Sequence, residues 1–518
     1  MALTRSGWGA AMAFAVITGT GAAHGQPDDG CTAATEGCYR DGDGNFRDAR
    51  AEYARRLDAL DPDHLRALVE ETSVLAIGTF WYWLDRSRNL ADWDFPSWKQ
   101  RFSGEAWRFD NNHFPINFAA HPLNGGAFYV IPRLNDHGLA VSATYAFMTS
   151  FAWEFLIEFR EKVSVNDLIV TQGAGMPIGE FANKLFRYVN GIPEDASLGK
   201  KILAWTLGFP YWAHRAVDGD PTYADGPYDD HGYASAIGSH LFAGYRVNLH
   251  DYGERSLVTH GFRLGGRLST IPGEGRPGSF AQFFHEADIV SLTLDAGFGR
   301  DAREVELYTD NHLLGLYAQD LDQSGDGDAF ALGLNLAYRY RFQDLDTYND
   351  RLGILHLPGI GTDYHHHSGP LTLSTHWRLN GDFAGLHAPA YGEWADANVR
   401  DGDRPKSILR KHGYAYAWGV SSRFGASIAL PPIDLRVDGW LGAYDSQEGL
   451  DRTQDELTLD PDSDDRLMEV QAELGFRVPG TPVRLGAGWS SRKRWHRVDS
   501  NATLRSLRTW RLQLDGLL

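Results

Sequence analysis

Cysteine is nearly absent from this 518-residue chain, and basic residues are outnumbered by acidic ones, 49 to 68. The net charge of -19 excludes a duplex nucleic-acid binder, which needs a basic face to displace counterions. Beyond the first residues no run of about 20 apolar residues occurs, so no helical span of an inner membrane is expected. The mean hydropathy is -0.37. The two cysteines, Cys31 and Cys38, are too few for a metal site and close enough for one local disulfide in an oxidising compartment.

Export fits the start of the chain. Arg5 supplies positive charge, Trp8 to Ile17 a short apolar run, and Ala23-His24-Gly25 small residues before Gln26. The expected organisation is a signal peptide over 1–25, a flexible mature N-terminus over 26–46, a mostly helical region over 47–220, and a barrel over 228–518.

The helical period runs from Arg47 to about Ala216, with Ala49 to Leu60 amphipathic and Leu139 to Lys162 reading as a long apolar helix. Gly126 to Arg133 reads as extended. After about Tyr228 the period becomes two. In DAFALGLNLAYRYRFQ, Phe330, Leu332, Leu334, Leu336, Tyr338, Tyr340 and Phe342 share one face, opposite Asn335, Arg339 and Arg341. Eleven such segments exceed the roughly 9 to 11 residues of a membrane-crossing strand, and aromatics such as Trp377, Trp418 and Trp510 fit interfacial girdles.

Tight connections at Gly299 to Ala302, Leu430-Pro431-Pro432 and Pro479-Gly480-Thr481 alternate with long ones at Pro272 to Glu286, His387 to Arg410 and Ser446 to Asp465. Even parity then implies one more strand, from Gly126 to Arg133, Leu352 to Leu357 or near Trp205. The fold class is α+β: an N-terminal mostly helical region followed by a C-terminal antiparallel transmembrane β-barrel of about 12 strands. The rival is a large soluble β-structure whose apolar face meets a core.

The expected inward face carries Arg263, Arg267, Arg339, Arg341, Arg378, Asp434, Arg436, Asp438, Glu469 and Glu473, which favours a hydrated or salt-bridged lumen. Arg492, Lys493, Arg494 and Arg497 read as a basic outer loop able to meet lipopolysaccharide phosphates, or as a solvated charge run. Asp322 to Asp328 begins like a calcium loop but has Gly333 where the bidentate Glu belongs. His365-His366-His367 point to alternate sides of an extended segment and make a poor metal site.

The chemistry-bearing stretch is SFAWEFLIEFREKVSVNDLIVTQGAGMPIGE, from Ser150 to Glu180. Glu154 and Glu158 stand four apart and share a helical face. Asp167 and Glu180 flank a glycine-rich segment that could return both to that face, with His113 and His121 as neighbours. Such a group can run acid and base steps through Glu154, Glu158, Asp167, Glu180, His113 and His121, or bind a divalent metal through Glu154, Glu158, His113 and His121. The bland alternative is a buried network in which the carboxylates accept from backbone amides or pair with Arg133 or Arg160. Ser164 reads as an N-cap, with no Gly-x-Ser-x-Gly elbow around it. Nothing identifies a cofactor.

Asn112-His113, His121-Pro122-x-x-Gly125, Arg133-x-Asn135, Ser150-x-x-Trp153-Glu154-x-x-x-Glu158, Ser164-x-Asn166-Asp167-Leu168-x-x-Thr171, Gly173 and Gly179-Glu180 form an ordered motif. In that order they resemble domain of unknown function family 3943, over Asn111 to Gly191. The resemblance implies a bacterial envelope protein with a C-terminal outer-membrane barrel, and no agreed activity. Two functions follow as expectations: an outer-membrane structural or transport component whose helical region lies in the periplasm or plugs the lumen, or an outer-membrane enzyme acting on lipid or envelope polymer through the Glu/Asp/His group. The expected surroundings are outer-membrane lipids, including lipopolysaccharide.

Overall fold

The computed structural model describes residues 31–517 except 33–34, 43, 85–92, 221–222, 225–228, 230–231 and 235–236. The expected export signal lies outside the described residues.

Alternation of apolar and polar side chains lets each strand face two environments at once, and the C-terminal half closes on itself as a result. Its strands are β1 (Gly238–Tyr252), β2 (Arg255–Ser269), β3 (Ile289–Gly299), β4 (Ala302–Leu321), β5 (Gly327–Leu345), β6 (Tyr348–Ser368), β7 (Leu371–His387), β8 (Tyr414–Leu430), β9 (Ile433–Ser446), β10 (Ser463–Arg477), β11 (Val483–Val498) and β12 (Asn501–Leu517). Each pairs antiparallel with the next, and β12 pairs with β1, giving a closed 12-strand barrel. The twelfth strand is β6, which contains Leu352 to Leu357; Gly126 to Arg133 is helical instead.

β1 starts and β12 ends at the same rim, here the proximal end. The long connections 388–413 and 447–462 lie at the opposite, distal end. The loop alternation holds only in part: the tight Gly299 to Ala302 turn is distal, and Pro272 to Glu286 is proximal. That proximal segment carries an extra strand, Gly278–Phe284, which extends the β4 edge and pairs with a hairpin of Cys38–Arg40 and Phe46–Asp48. Cys31 and Cys38 form the expected disulfide beside it. Helix α1 (Ala49–Asp58), capped by the Asp48 carboxylate, docks at this rim through Tyr53, whose hydroxyl donates to Asp288 at 2.8 Å.

Two short helices, Tyr391–Asn398 and Ser407–His412, lie in the distal connection 388–413, and the remaining ones form a bundle: α2 (His64–Leu84), α3 (Trp98–Ser103), α4 (His121–Leu134), α5 (Leu139–Ala152), α6 (Val165–Asn190), α7 (Leu198–Thr206) and α8 (Phe209–Asp218). The expected long helix from Leu139 to Lys162 is shorter, because α5 passes at Trp153 into a π-helical turn that ends at Ile157. α4 and α6 cross at glycine contacts. A Cβ on Gly125 would lie 1.6 Å from the Thr171 carbonyl oxygen, and one on Gly179 would lie 2.7 Å from that of Gly126.

The bundle is not in the bore. On β5, Arg339 and Arg341 point inward, whereas Leu336, Tyr338 and Tyr340 have the outward parity of exposed Phe330 and Leu332, yet are buried under the bundle. One row of paired residues, Tyr340–Gly353–Gly385–Tyr416, runs across the outer wall of β5–β8. Its two glycines leave a notch that Phe118 fills: a Cβ on Gly353 or Gly385 would fall within 2.3 Å of that ring. Lower on the wall, outward-facing Asn311 donates to the Pro177 carbonyl of α6 at 3.0 Å. The expectation of a lumen plug, or of a bundle beneath the barrel in the periplasm, is therefore corrected. The wall that binds the helices is the outer one, because there it presents aromatics and a glycine gap, while the inner face is charged.

Ion pairs span the bore, next to an inward apolar cluster that includes Leu352, Ile354, Leu386, Trp440 and Leu467. Arg341 on β5 reaches Glu469 on β10 at 2.9 Å, and Arg492 on β11 reaches Glu306 on β4 at 2.9 Å and Glu469 at 2.5 Å. β4 and β5 stand across the ring from β10 and β11, so the Arg341–Glu469 and Arg492–Glu306 pairs cross the bore, while Arg492 and Glu469 are partners on neighbouring strands. The expected basic loop is likewise corrected, since Arg492 and Arg494 are inward members of β11, with Arg494 bound to Asp350 and Asp465. Only Lys493 and Arg497 keep outward parity.

Candidate functional site

Four of the six expected site residues meet at the distal end of the bundle. The π-helical turn after α5 swings Glu154 inward, where its Oε2 accepts from the Ser164 amide at 3.3 Å. Glu158 closes the same turn, and its Oε1 accepts from the Trp153 indole at 2.8 Å. Asp167, in the first turn of α6, accepts from Asn166 at 2.8 Å and lies 3.5 Å from His121 Nε2. Glu154 and Asp167 are buried, and Glu158 is half-buried.

Burial pushes the Glu154 carboxyl well up, with Glu158 and Asp167 adding repulsion and the Ser164 amide opposing it. Glu158 is pushed up to about 8, by burial first and then by Glu161 and Asp167, against the Trp153 hydrogen bond and His121. At neutral pH this group therefore holds protons, which relieves the repulsion that crowded carboxylates would otherwise meet.

The other two residues stand apart. Glu180 is thirteen residues further along α6, roughly 20 Å at helical rise. It is clasped by the Arg133 guanidinium at 2.8 and 3.0 Å, the Tyr129 hydroxyl at 2.7 Å and Lys184 at 3.2 Å. Arg133 also reaches Glu286 at 2.7 Å, tying the bundle to the proximal rim. His113 is exposed, with its ring 4.2 Å from that of His412 in a distal loop. Among the described residues no three His, Cys, Asp or Glu side chains converge as a metal-holding group.

Sequence reasoning overlooked the residue at the centre of this region, Asp110. Its carboxylate accepts from Asn117 at 2.6 Å, Asn166 at 3.1 Å and Tyr416 at 2.8 Å, and so joins two bundle segments to the barrel wall. The alternation Tyr414-x-Tyr416 was the available signal, since two phenols on a lipid-facing parity need polar partners. Ser164 occupies the N-cap position without a side-chain cap bond; its hydroxyl donates to Asn166 instead. Asp322 closes its own turn by accepting from Ser324 and Asp326 amides, and the three consecutive histidines take three separate partners.

Among curated proteins none matches the chain. Solved structures similar to it include the NanC porin (9% identity, TM-score 0.24, covering 54% of this chain and 100% of that one). Others are the outer membrane channel DcaP of Acinetobacter baumannii (12%, 0.23, 57% and 99%) and a Pseudomonas aeruginosa FadL homologue (8%, 0.23, 55% and 91%). At such TM-scores these likenesses carry no argument, and the barrel rests on its own strand pairing. That barrel, closed, antiparallel and apolar on its outer face, is the architecture of an outer-membrane protein. Residues 106–209, the heart of the helical bundle that stands against this outer-membrane β-barrel, match the family described as Domain of unknown function (DUF3943).

Proposed function

We propose that the protein is a structural component of the outer membrane: a sealed barrel that holds a helical bundle in place, rather than an open pore. The observation that carries this reading is a network in which Arg339 and Arg341 reach Glu469 and Arg492 reaches Glu306 across the bore, tied together by the neighbouring-strand pairs of Arg339 and Arg341 with Glu306 and of Arg492 with Glu469. Ions would have to displace five interacting charges, three positive and two negative, of which Arg339, Arg341 and Glu469 are buried and Glu306 and Arg492 half-buried, whereas an open pore keeps a continuous water column. Glu306, Arg339, Glu469 and Arg492 of this network line a polar cavity of about 160 Å³ together with Arg263, Asp295, Arg436, Asp438 and Glu473. In planar bilayers the purified protein is expected to show no stable conducting steps, and a Glu306→Ala/Glu469→Ala variant, with its arginines left to repel one another, is expected to leak. Steady open-channel current from the unaltered protein would refute the sealed-barrel reading.

In this reading Glu154, Glu158, Asp167 and His121 are a polar lock rather than an active site. Support comes from their burial and from the distance of Glu180 and His113. Export with cleavage of a signal peptide over 1–25 belongs to the same proposal, supported by the disulfide at Cys31 and Cys38, as does the division into a helical region and a barrel. Lipopolysaccharide is the proposed outer-leaflet neighbour. Outward-facing Lys493 and Arg508 stand towards the distal end beside Met468, Trp495 and Leu504, a mix of charge and apolar surface suited to phosphorylated lipid. Less phosphate-bearing lipid should copurify with Lys493→Glu/Arg508→Glu; unchanged content counts against it.

A further inference from the structure

The bundle occupies the side of the barrel that faces lipid, and it does so over the full height of the wall. The outward residues it covers run diagonally from Leu268 at the proximal end of β2, through Val290, Thr309 and Tyr338, to Phe383 and Tyr414 at the distal ends of β7 and β8. α4 descends from His121, near distal Asp167, to Arg133, near proximal Glu286, and α6 descends beside it. α5 starts against Glu286 and rises to Glu154. α2 rises with it, from a contact between His64 and His137 to one between Tyr82 and Trp153. α2, with 21 residues, and α6, with 26, are roughly 31 and 39 Å long, enough to match a hydrocarbon layer about 30 Å thick.

The surface turned away from the barrel is apolar. Past His64 no exposed residue of α2 is charged, and Leu65, Ile77 and Phe80 are 72%, 71% and 68% exposed. α5 contains no charged residue at all and exposes Val141, Phe147 and Met148. In water such a face would be an aggregation liability. Here it continues the apolar wall of the barrel at the same height. Tryptophans mark its two borders, Trp81, Trp98 and Trp107 distally and Trp205 proximally, as interfacial residues do. The interior follows the same logic: Gly175-x-x-x-Gly179 on α6 meets Gly125-Gly126 on α4, the close small-residue packing that holds helices together where hydrocarbon offers no hydrophobic drive.

We propose that α2, α4, α5 and α6 lie within the outer membrane beside the barrel, with the outer faces of α2 and α5 in contact with lipid acyl chains. No helix among the described residues is long and apolar enough to cross a membrane, and that is consistent with this arrangement. A lone span must be apolar all round, whereas these helices show lipid one face and the protein the others. The same modest hydropathy lets the segment pass an inner membrane without being retained there.

The test uses the full-length protein in proteoliposomes, with single cysteines at Ile77, Met148, Leu512 on the lipid face of β12, and Asp401 in a distal loop. Each replaces an exposed side chain, and the native cysteines are paired. Nitroxide labels at Ile77→Cys and Met148→Cys are expected to favour collision with dissolved oxygen over a water-soluble nickel chelate to the same degree as Leu512→Cys. Nickel preference like that of Asp401→Cys would place the bundle in water, and shielding from both reagents would place it against a second protein chain; either overturns the proposal. The unaltered protein provides a second reading. A photoreactive diazirine on a phospholipid acyl chain should label peptides from 64–84 and 139–152, and label confined to barrel strands would overturn it.

Discussion

Glu158 ties a single titration to the stability of the bundle. Its folded value of about 8 lies above the roughly 4.3 of an unfolded glutamate, so the folded chain binds the proton more tightly. Its contribution is complete below the unfolded value and is lost as pH rises through the folded one. Between about pH 5 and pH 9 the thermal midpoint of the bundle, followed by helical circular dichroism, should therefore fall. Glu158→Gln, which keeps an acceptor for the Trp153 indole but has no proton to lose, should remove part of that fall. Glu154 shifts in the same direction and leaves a residual slope. A midpoint that rises with pH, or a slope unchanged in Glu158→Gln, would contradict the arrangement of Glu154, Glu158, Glu161, Asp167 and His121. The sequence disclosed the pairing of Glu154 with Glu158 through their spacing alone. It did not disclose that Glu180 belongs elsewhere, because the glycine-rich segment expected to return both carboxylates to one face lies inside α6, where Gly175 packs against α4 and Gly173 against Leu355 of the barrel, and the helix runs on to Asn190.

At the scale of elements, the bundle is held to the wall by a shape fit. Phe118 is fully buried in the notch left by Gly353 and Gly385, between Tyr340 and Tyr416. Truncation to Phe118→Ala should cost about 3–5 kcal/mol of docking stability. Filling the notch from the other side, Gly353→Leu, should release the bundle to protease while the barrel stays folded and resistant; equal resistance in both parts would show that the notch is not the anchor. Eleven strands were legible because period-two alternation runs through them; β6 stayed one of three candidates because its register shifts between His356 and Ile360. Which outward residues meet helices was not legible, because exposed Phe330 and buried Leu336 share one parity and are both apolar, and a wall that meets lipid looks like a wall that meets a helix. The glycine pair on an outward row and the phenols at Tyr414 and Tyr416 are the departures that distinguish the two.

At the scale of the whole molecule, the inward charges that suggested a hydrated bore cancel one another across it, and the helices expected within or beneath the barrel stand outside. Both results follow from the same division of labour, in which the inner face of the wall carries ion pairs and the outer face carries the bundle. Position of the bundle is the claim on which the rest depends. It is tested most directly by oxidative cross-linking of paired cysteines in the full-length protein. Gly173 on α6 packs against the outward-facing Leu355 of β6, so near that a Cβ on the glycine would lie 2.5 Å from the leucine. His356, the next residue, points into the bore towards Asp382 at 2.8 Å. Gly173→Cys/Leu355→Cys should form a disulfide, and Gly173→Cys/His356→Cys should not. The reverse pattern, with the bond forming only to position 356, would put the helices in the lumen and contradict the account.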